Sequence, residues 1–204
     1  MGKLDINKRL KMDSLLNTSF ELFTSKGINK TSISDIVEKA GVAKGTFYLY
    51  FKDKYDIRNR LIAHKSSQLF ARAYACLQVS GLTDIKDKIL FIVDHILDEL
   101  NENKALLTFI YKDLSWGVFK RALTTAPVTD DVDFRKIYQH MLDESEQKFD
   151  NPEVMLFLII ELISSTGYSA ILYNDPVSLA ELKPYLYKTV RGIIDDHMLP
   201  PESI

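Results

Sequence analysis

Just past Gly41 stand three side chains built to meet polar partners: Lys44, a charged donor, Thr46, with a hydroxyl and a methyl, and Tyr48, a phenol. They fall on a short helix from about Lys44 to Tyr48. Phe47 and Phe51, four apart, share its other face with Val42 nearby and can pack on Ile36 and Val37. Lys44, Thr46 and Tyr48 then point away from the local core, where they do little for stability. Gly45 sits among them. A glycine inside a helix costs roughly 1 kcal/mol relative to alanine, so its presence suggests close approach by another backbone, the alternative being an irregular helix start. Lysine can donate to guanine O6 and N7, and a threonine methyl can touch that of thymine. The chemistry on offer is recognition of nucleobase edges.

Such side chains need a platform. Ile33, Ile36, Val37 and Ala40 form the apolar stripe of a short helix that Ser32 can cap, with Asp35 three positions on reaching back. Gly41 ends it and allows a tight corner. Helix, corner and short helix within Ser32 to Phe51 are the geometry of a helix-turn-helix, whose second helix enters the major groove. Met12, Leu16, Phe20 and Phe23 stripe a preceding helix that closes at Gly27. Asp53 with Asp56 starts a long fourth helix to about Leu77.

This series resembles the TetR family of bacterial repressors, which typically show Thr-Thr-hydrophobic, Ile-Ala, Ala-Gly-Val-Ser-Lys-Gly-Thr, then Tyr-x-Tyr-Phe-x-x-Lys. Here the chain reads Thr31, Ser32, Ile33, then Ile36, Val37, then Ala40 through Thr46, then Tyr48, Leu49, Tyr50, Phe51, Lys52, Asp53, Lys54. The resemblance spans about Asn7 to Leu61 and departs at Ala43, where the family often carries a serine able to touch phosphate. It implies that Thr31 and Ser32 meet a phosphate at a helix N-terminus, where free amides favour anions. Lys44, Gly45 and Thr46 would face base edges, and Tyr48, Tyr50 and Lys54 would hold phosphates and fix register. Tyr50 has packing within the head as an alternative use, and Lys54 solvated surface. Lys8, Arg9 and Lys11 offer further backbone contacts or a basic terminus.

The bulk composition agrees. Of 204 residues, 46% are hydrophobic and 26% charged, enough to bury a core. Through Arg60 there are twelve Lys and Arg against seven Asp and Glu, which leaves the remainder acidic and suits a polyanion at one end. The lone Cys76 has no partner in the chain and fits a reducing compartment. The N-terminus shows no signal-peptide core, and the apolar run Val154 to Ile160 stops at Glu161, short of the roughly 18 residues of a membrane span. A cytoplasmic protein without a membrane segment is expected. Motifs for phosphate loops, metal ligation or a nucleophile elbow are missing from the sequence, so no enzyme, catalytic residue, metal or cofactor is expected.

Helical spacing persists throughout, and strand-type alternation does not occur. The expected fold is all-α with about nine helices: a helix-turn-helix head over residues 1–54 and a helical ligand-binding and dimerisation body over 55–204. In the body the fifth helix carries Ile85 to Leu100, the sixth runs from Ala105 to about Trp116, and Thr124 to Asp131 is a loop. The seventh covers Phe134 to Phe149, the eighth Pro152 to Tyr173, and the ninth ends near Met198, with Pro184 as a kink or start.

Readers of this class act as dimers on half-sites about 34 Å apart, or a multiple of that, so the body must supply a symmetric interface. The last two helices are the candidates, through Met155, Ile159, Leu162, Ile163, Thr166, Leu186, Val190 and Ile193, with Ser164 to Gly167 small enough for close approach. The family resemblance implies the same arrangement, and a small-molecule effector in a pocket among the fourth to eighth helices. Candidate contacts there are Phe91, His95, Phe109, Trp116, Tyr138 and Tyr168, favouring a hydrophobic or aromatic ligand. The expected function is a ligand-responsive transcriptional regulator, a repressor on a palindromic double-stranded DNA operator. The rival is a helical ligand-binding or scaffolding protein without DNA binding.

Overall fold

The computed structural model of the chain describes residues 3–111 and 134–200. Among them the regular structure is entirely helical: α1 (Lys3–Lys26), α2 (Ile33–Ala40), α3 (Lys44–Tyr50), α4 (Lys54–Gln78), α5 (Ile85–Glu102), α6 (Lys104–Tyr111), α7 (Phe134–Asp143), α8 (Pro152–Tyr173) and α9 (Leu179–Asp196). Two compact units divide at Lys65 and Ser66, inside α4. The expected boundary at 54/55 marks instead where α4 begins.

The head unit is built on Leu15, Leu16 and Phe23 of α1, Ile36 of α2, and Phe47 and Phe51 at α3, all buried. Ile57 and Leu61 on the first turns of α4 complete that core. Turns are set by glycine where the backbone requires it: Gly27 and Gly41 take φ of +81° and +68°, a region most side chains avoid. One polar atom breaks the pattern. The hydroxyl of Ser19 is buried on α1 with no hydrogen-bond partner. An unmet buried polar group costs about 1 to 3 kcal/mol, so Ser19→Ala is expected to raise stability by about 1 kcal/mol in urea unfolding. An unchanged or lowered midpoint would show that the hydroxyl has a partner.

In the body, α5 buries Ile89, Ile92, Val93, Leu97 and Leu100, and packs on α6, α8 and α9. Its polar side is tied to α9. Lys183 reaches Asp94 and Asp98 at 2.6 Å each, Arg191 reaches Asp87 at 2.7 Å, and Lys86 pairs with Asp195. Burial works against the Asp94 carboxylate, yet hydrogen bonds from Lys183 and Tyr187 hold its pKa below the ordinary value. α9 runs through Pro184 without a break, because Ser178 and Glu181 form a capping box at its start and Ala180, whose carbonyl loses its helical donor, is exposed.

Two helix ends differ from expectation. α7 stops at Asp143 rather than Phe149, because the chain beyond it pairs with the C-terminal segment: Asp150 donates to His197 and Leu199 to Lys148, both at 2.8 Å. The sixth helix is described as far as Tyr111, and its expected end at Trp116 lies outside the described residues. α8, 22 residues long with an 18-residue stretch of mean hydropathy 1.8, is long and apolar enough by composition to cross a membrane, which the interruption at Glu161 had argued against. In the body it buries Met155, Ile159, Ile160, Gly167, Ala170 and Ile171, about a third of that apolar stretch.

Candidate nucleic-acid interface and ligand cavity

The candidate interface begins at the start of α2. Ser32 takes an extended backbone (φ −95°, ψ 160°), and its hydroxyl accepts from the Asp35 amide at 3.1 Å. The Asp35 carboxylate accepts the Ser32 amide at 2.8 Å in return and pairs with Lys26 at 2.9 Å. The Ser32 amide, with Lys26 second, lowers the Asp35 pKa from 3.8 to about 2. A depressed carboxylate stabilises the fold above its unfolded pKa, so the benefit is present above pH 3.8 and is lost as pH falls toward 2. Removing the cap hydroxyl by Ser32→Ala should cost about 1 kcal/mol in thermal unfolding with little dependence on pH, because the Asp35 amide it leaves unpaired does not titrate. The pH-dependent part belongs to the Asp35 carboxylate, so Asp35→Asn should destabilise the fold at neutral pH and much less below pH 3.8, and a loss from Asp35→Asn that is the same at both would show that the box is not formed.

Gly41 then closes α2, its amide returning to the Glu38 carbonyl at 3.2 Å while Val42 bonds Val37 at 3.0 Å. α3 leaves this corner with no side-chain cap, since Ala43 has no oxygen to offer. Phe47 anchors it, fully buried, with its ring 5.5 Å from that of Phe51 and edge-on to Tyr48. Lys44, Gly45, Tyr48 and Leu49 are left in solvent, Leu49 at 80% exposure. A Cβ placed on Gly45 would meet nothing within 4 Å, so nothing inside the chain requires a glycine there.

The geometry is that of a helix-turn-helix, and the comparisons with known proteins point the same way. The family model for bacterial regulatory proteins of the tetR family matches residues 15–61. Residues 15–61, about a quarter of the chain, are thus similar to the tetR family of bacterial regulatory proteins. Among curated proteins it is 36% identical over 104 residues to the uncharacterized HTH-type transcriptional regulator YvdT of Bacillus subtilis, covering 51% of this chain and 48% of that protein. To the fatty acid metabolism regulator protein of Bacillus subtilis it is 38% identical over 103 residues, 50% and 52% of the two chains. These alignments span about half the length of each relative. The fold likeness extends further: the crystal structure of FadR from Bacillus subtilis in complex with stearoyl-CoA superposes with a TM-score of 0.62 at 20% identity, over 87% of this chain and 96% of that one.

Within this TetR-type head the expected contact residues separate into two groups. Ser32, Lys44, Gly45 and Tyr48 are exposed and lie at the start of α2 or on α3, while Thr46 is half-buried. Thr31, Tyr50 and Lys54 have internal duties. Thr31 is 1% exposed and donates its hydroxyl to the Gly27 carbonyl at 2.9 Å, so its side chain holds the turn before α2. The Lys54 ammonium donates to the carbonyls of Ile28, Asn29 and Thr31 at 3.0 to 3.4 Å, neither free surface nor a free cation. Tyr50 packs beside Phe51 and donates to the Lys8 carbonyl at 3.4 Å, the packing alternative left open by its position. Leu49 was missed. Its place on the outer face beside Gly45 and Tyr48 was available from helical spacing alone.

The body holds a cavity of about 130 Å³ walled by α4, α5, α6, α7 and α8. Tyr138 and Tyr168 line it, whereas Phe91, His95 and Phe109 do not. The reason is helical phase: the wall of α5 is the stripe from Ile89 through Val93 and Leu97 to Leu100, and Phe91 and His95 stack on each other off that stripe, their rings 5.6 Å apart. Trp116 lies outside the described residues. The lining is more aliphatic than its aromatic candidates suggested.

The dimer candidates also shift. Met155, Ile159, Leu186 and Val190 are buried within one chain, and Ile159 and Ile163 face the cavity. The small stretch at Gly167 is used internally as well, since a Cβ there would come within 2.7 Å of Leu97. Leu162, Thr166 and Ile193 are half-buried. Apolar surface left to solvent on α8 falls one position away, at Val154 and Leu158, with Ser165 exposed further along and Tyr185 exposed on α9.

Proposed function

We propose that this chain is a transcriptional regulator that binds a palindromic DNA operator as a homodimer and is switched by a small molecule held in the body cavity. The observation that carries this reading is the outer face of α3. Lys44, Gly45, Tyr48 and Leu49 stand in solvent on a helix pinned by the fully buried Phe47, a costly use of apolar and glycine positions unless a partner covers them. The direct readers are Lys44 and Thr46, with Leu49 added for apolar contact to a thymine methyl, and Ser32 and Tyr48 hold phosphates. Lys54, Thr31 and Tyr50 act behind them by fixing the turn before α2 and the seat of α3 on α1.

The second copy docks through α8 and α9 by way of Val154, Leu158 and Leu162. An effector acts only by binding the DNA-competent and incompetent spacings of the two heads unequally. Repression is the family's usual mode and is the sense proposed here. The test is retention of mixed duplex DNA as salt is varied. A protein neutralising several phosphates loses affinity linearly in log salt with a slope near −0.9 per phosphate, so retention should fall by orders of magnitude between about 50 and 200 mM. No retention at low salt, or retention indifferent to salt, would favour a helical ligand-binding protein without DNA binding.

A further inference from the structure

The body cavity is small. At about 130 Å³ it is slightly smaller than an apolar cavity of about 150 Å³ that, engineered into another protein, stays dry and binds benzene. Such a volume takes about six or seven carbons and leaves no room for a second ring or a long chain. Leu97 of α5 and Gly167 of α8 both belong to its wall, and a Cβ on Gly167 would come within 2.7 Å of Leu97. The glycine is required where these two helices close on each other.

The wall sets the chemistry of what can enter. Phe70, Phe134, Tyr138 and Tyr168 bring aromatic rings to it among aliphatic side chains. Phe70 and Phe134 meet edge to face with centroids 4.2 Å apart, and the Phe134 ring lies nearly parallel to that of Tyr138 at 6.2 Å. Tyr138 gives its hydroxyl to the Pro152 carbonyl at 2.8 Å, so its contribution to the cavity is the ring. Ser66 and Ser164 are the other polar side chains of the described lining, and none of the described lining residues is charged. An ion placed there gives up its hydration for no partner, which counts against carboxylates and ammonium compounds. A flat ring can set its edge or face against the wall aromatics and gains from that geometry as well as from burial.

From this we infer that the effector is a neutral molecule with one aromatic ring and about six to eight carbons. Two fused rings, a long chain or a charged group do not fit the cavity. The inference rests on the proposal that this cavity holds the effector, and it adds the effector's size, charge and ring.

Thermal unfolding of the full chain is measured with toluene, naphthalene, 1-decanol and benzoate as probes. A ligand that binds only the folded chain raises the midpoint with its concentration, and the size of the rise gives the affinity. Toluene should bind at least about tenfold more tightly than any of the other probes, because overfilling a packed wall is costly. Ser164→Phe puts a ring of the chain's own into the cavity and should abolish the toluene shift with the helical spectrum intact. Leu97→Ala opens the wall facing Gly167 and should bring naphthalene to within about threefold of toluene. The parent panel and Ser164→Phe decide the matter even where Leu97→Ala fails to fold. No shift with toluene, equal or tighter binding of naphthalene, 1-decanol or benzoate by the parent chain, or an unchanged toluene shift in Ser164→Phe overturns the inference. DNA retention on the same preparations separates the two readings: retained DNA with no toluene binding sinks only the ligand assignment, and toluene binding with no DNA retention sinks only the regulator.

Discussion

Alanine at Gly45 is expected to leave the chain as stable as before or up to about 1 kcal/mol more stable, and leucine there to fold while losing at least tenfold in DNA affinity. The first half follows from helix propensity, since glycine inside a helix is about 1 kcal/mol worse than alanine and a Cβ at this position meets nothing within 4 Å. The second half follows only if another molecule's backbone comes against α3. Lys44→Ala and Tyr48→Ala complete the series. Lys44→Ala should flatten the preference among duplexes, a good base contact being worth about 1 to 3 kcal/mol, and Tyr48→Ala should weaken all duplexes alike. Binding is read by fluorescence anisotropy on selected and random duplexes, and folding by circular dichroism. If Gly45→Leu binds like the parent, or if Lys44→Ala and Tyr48→Ala act identically on every duplex, α3 is not the reading helix.

The head was legible because its signals are local. A capping serine, a glycine that must take positive φ, and a phenylalanine pair four residues apart each act within one or two turns, and Ser32, Gly41, Phe47 and Phe51 do so in the structure. Lys54 was not legible in the same way. Its partners, the carbonyls of Ile28, Asn29 and Thr31, lie more than twenty residues back in the chain, and no local pattern marks them. The body shows the limit more sharply. α8 is apolar nearly all round, so periodicity has no polar face from which to set the phase, and Met155 and Leu158 look alike until α5 and α9 are placed against one of them. The same gap separates Phe91 and His95 from the cavity, because aromatic content says nothing about which side of α5 faces inward.

That difference in phase gives the second large effect. Leu158→Asp should leave a folded monomer, whereas Ile159→Asp, one residue on, should fail to fold. Leu158 is 40% exposed, so a carboxylate there meets water in a single chain and is buried only when a second copy covers α8. Ile159 is 2% exposed, and an unpaired charge at such a site costs several kcal/mol, a large share of a domain's total stability. Sedimentation velocity at micromolar concentration should give half the parent mass for Leu158→Asp, with its helical spectrum intact. Operator affinity should drop about a hundredfold or more with it, because two heads joined on one operator gain an effective concentration that a single head lacks. A Leu158→Asp protein that sediments with the parent would remove α8 as the joining surface, and the two heads would have to be paired through another face of the body.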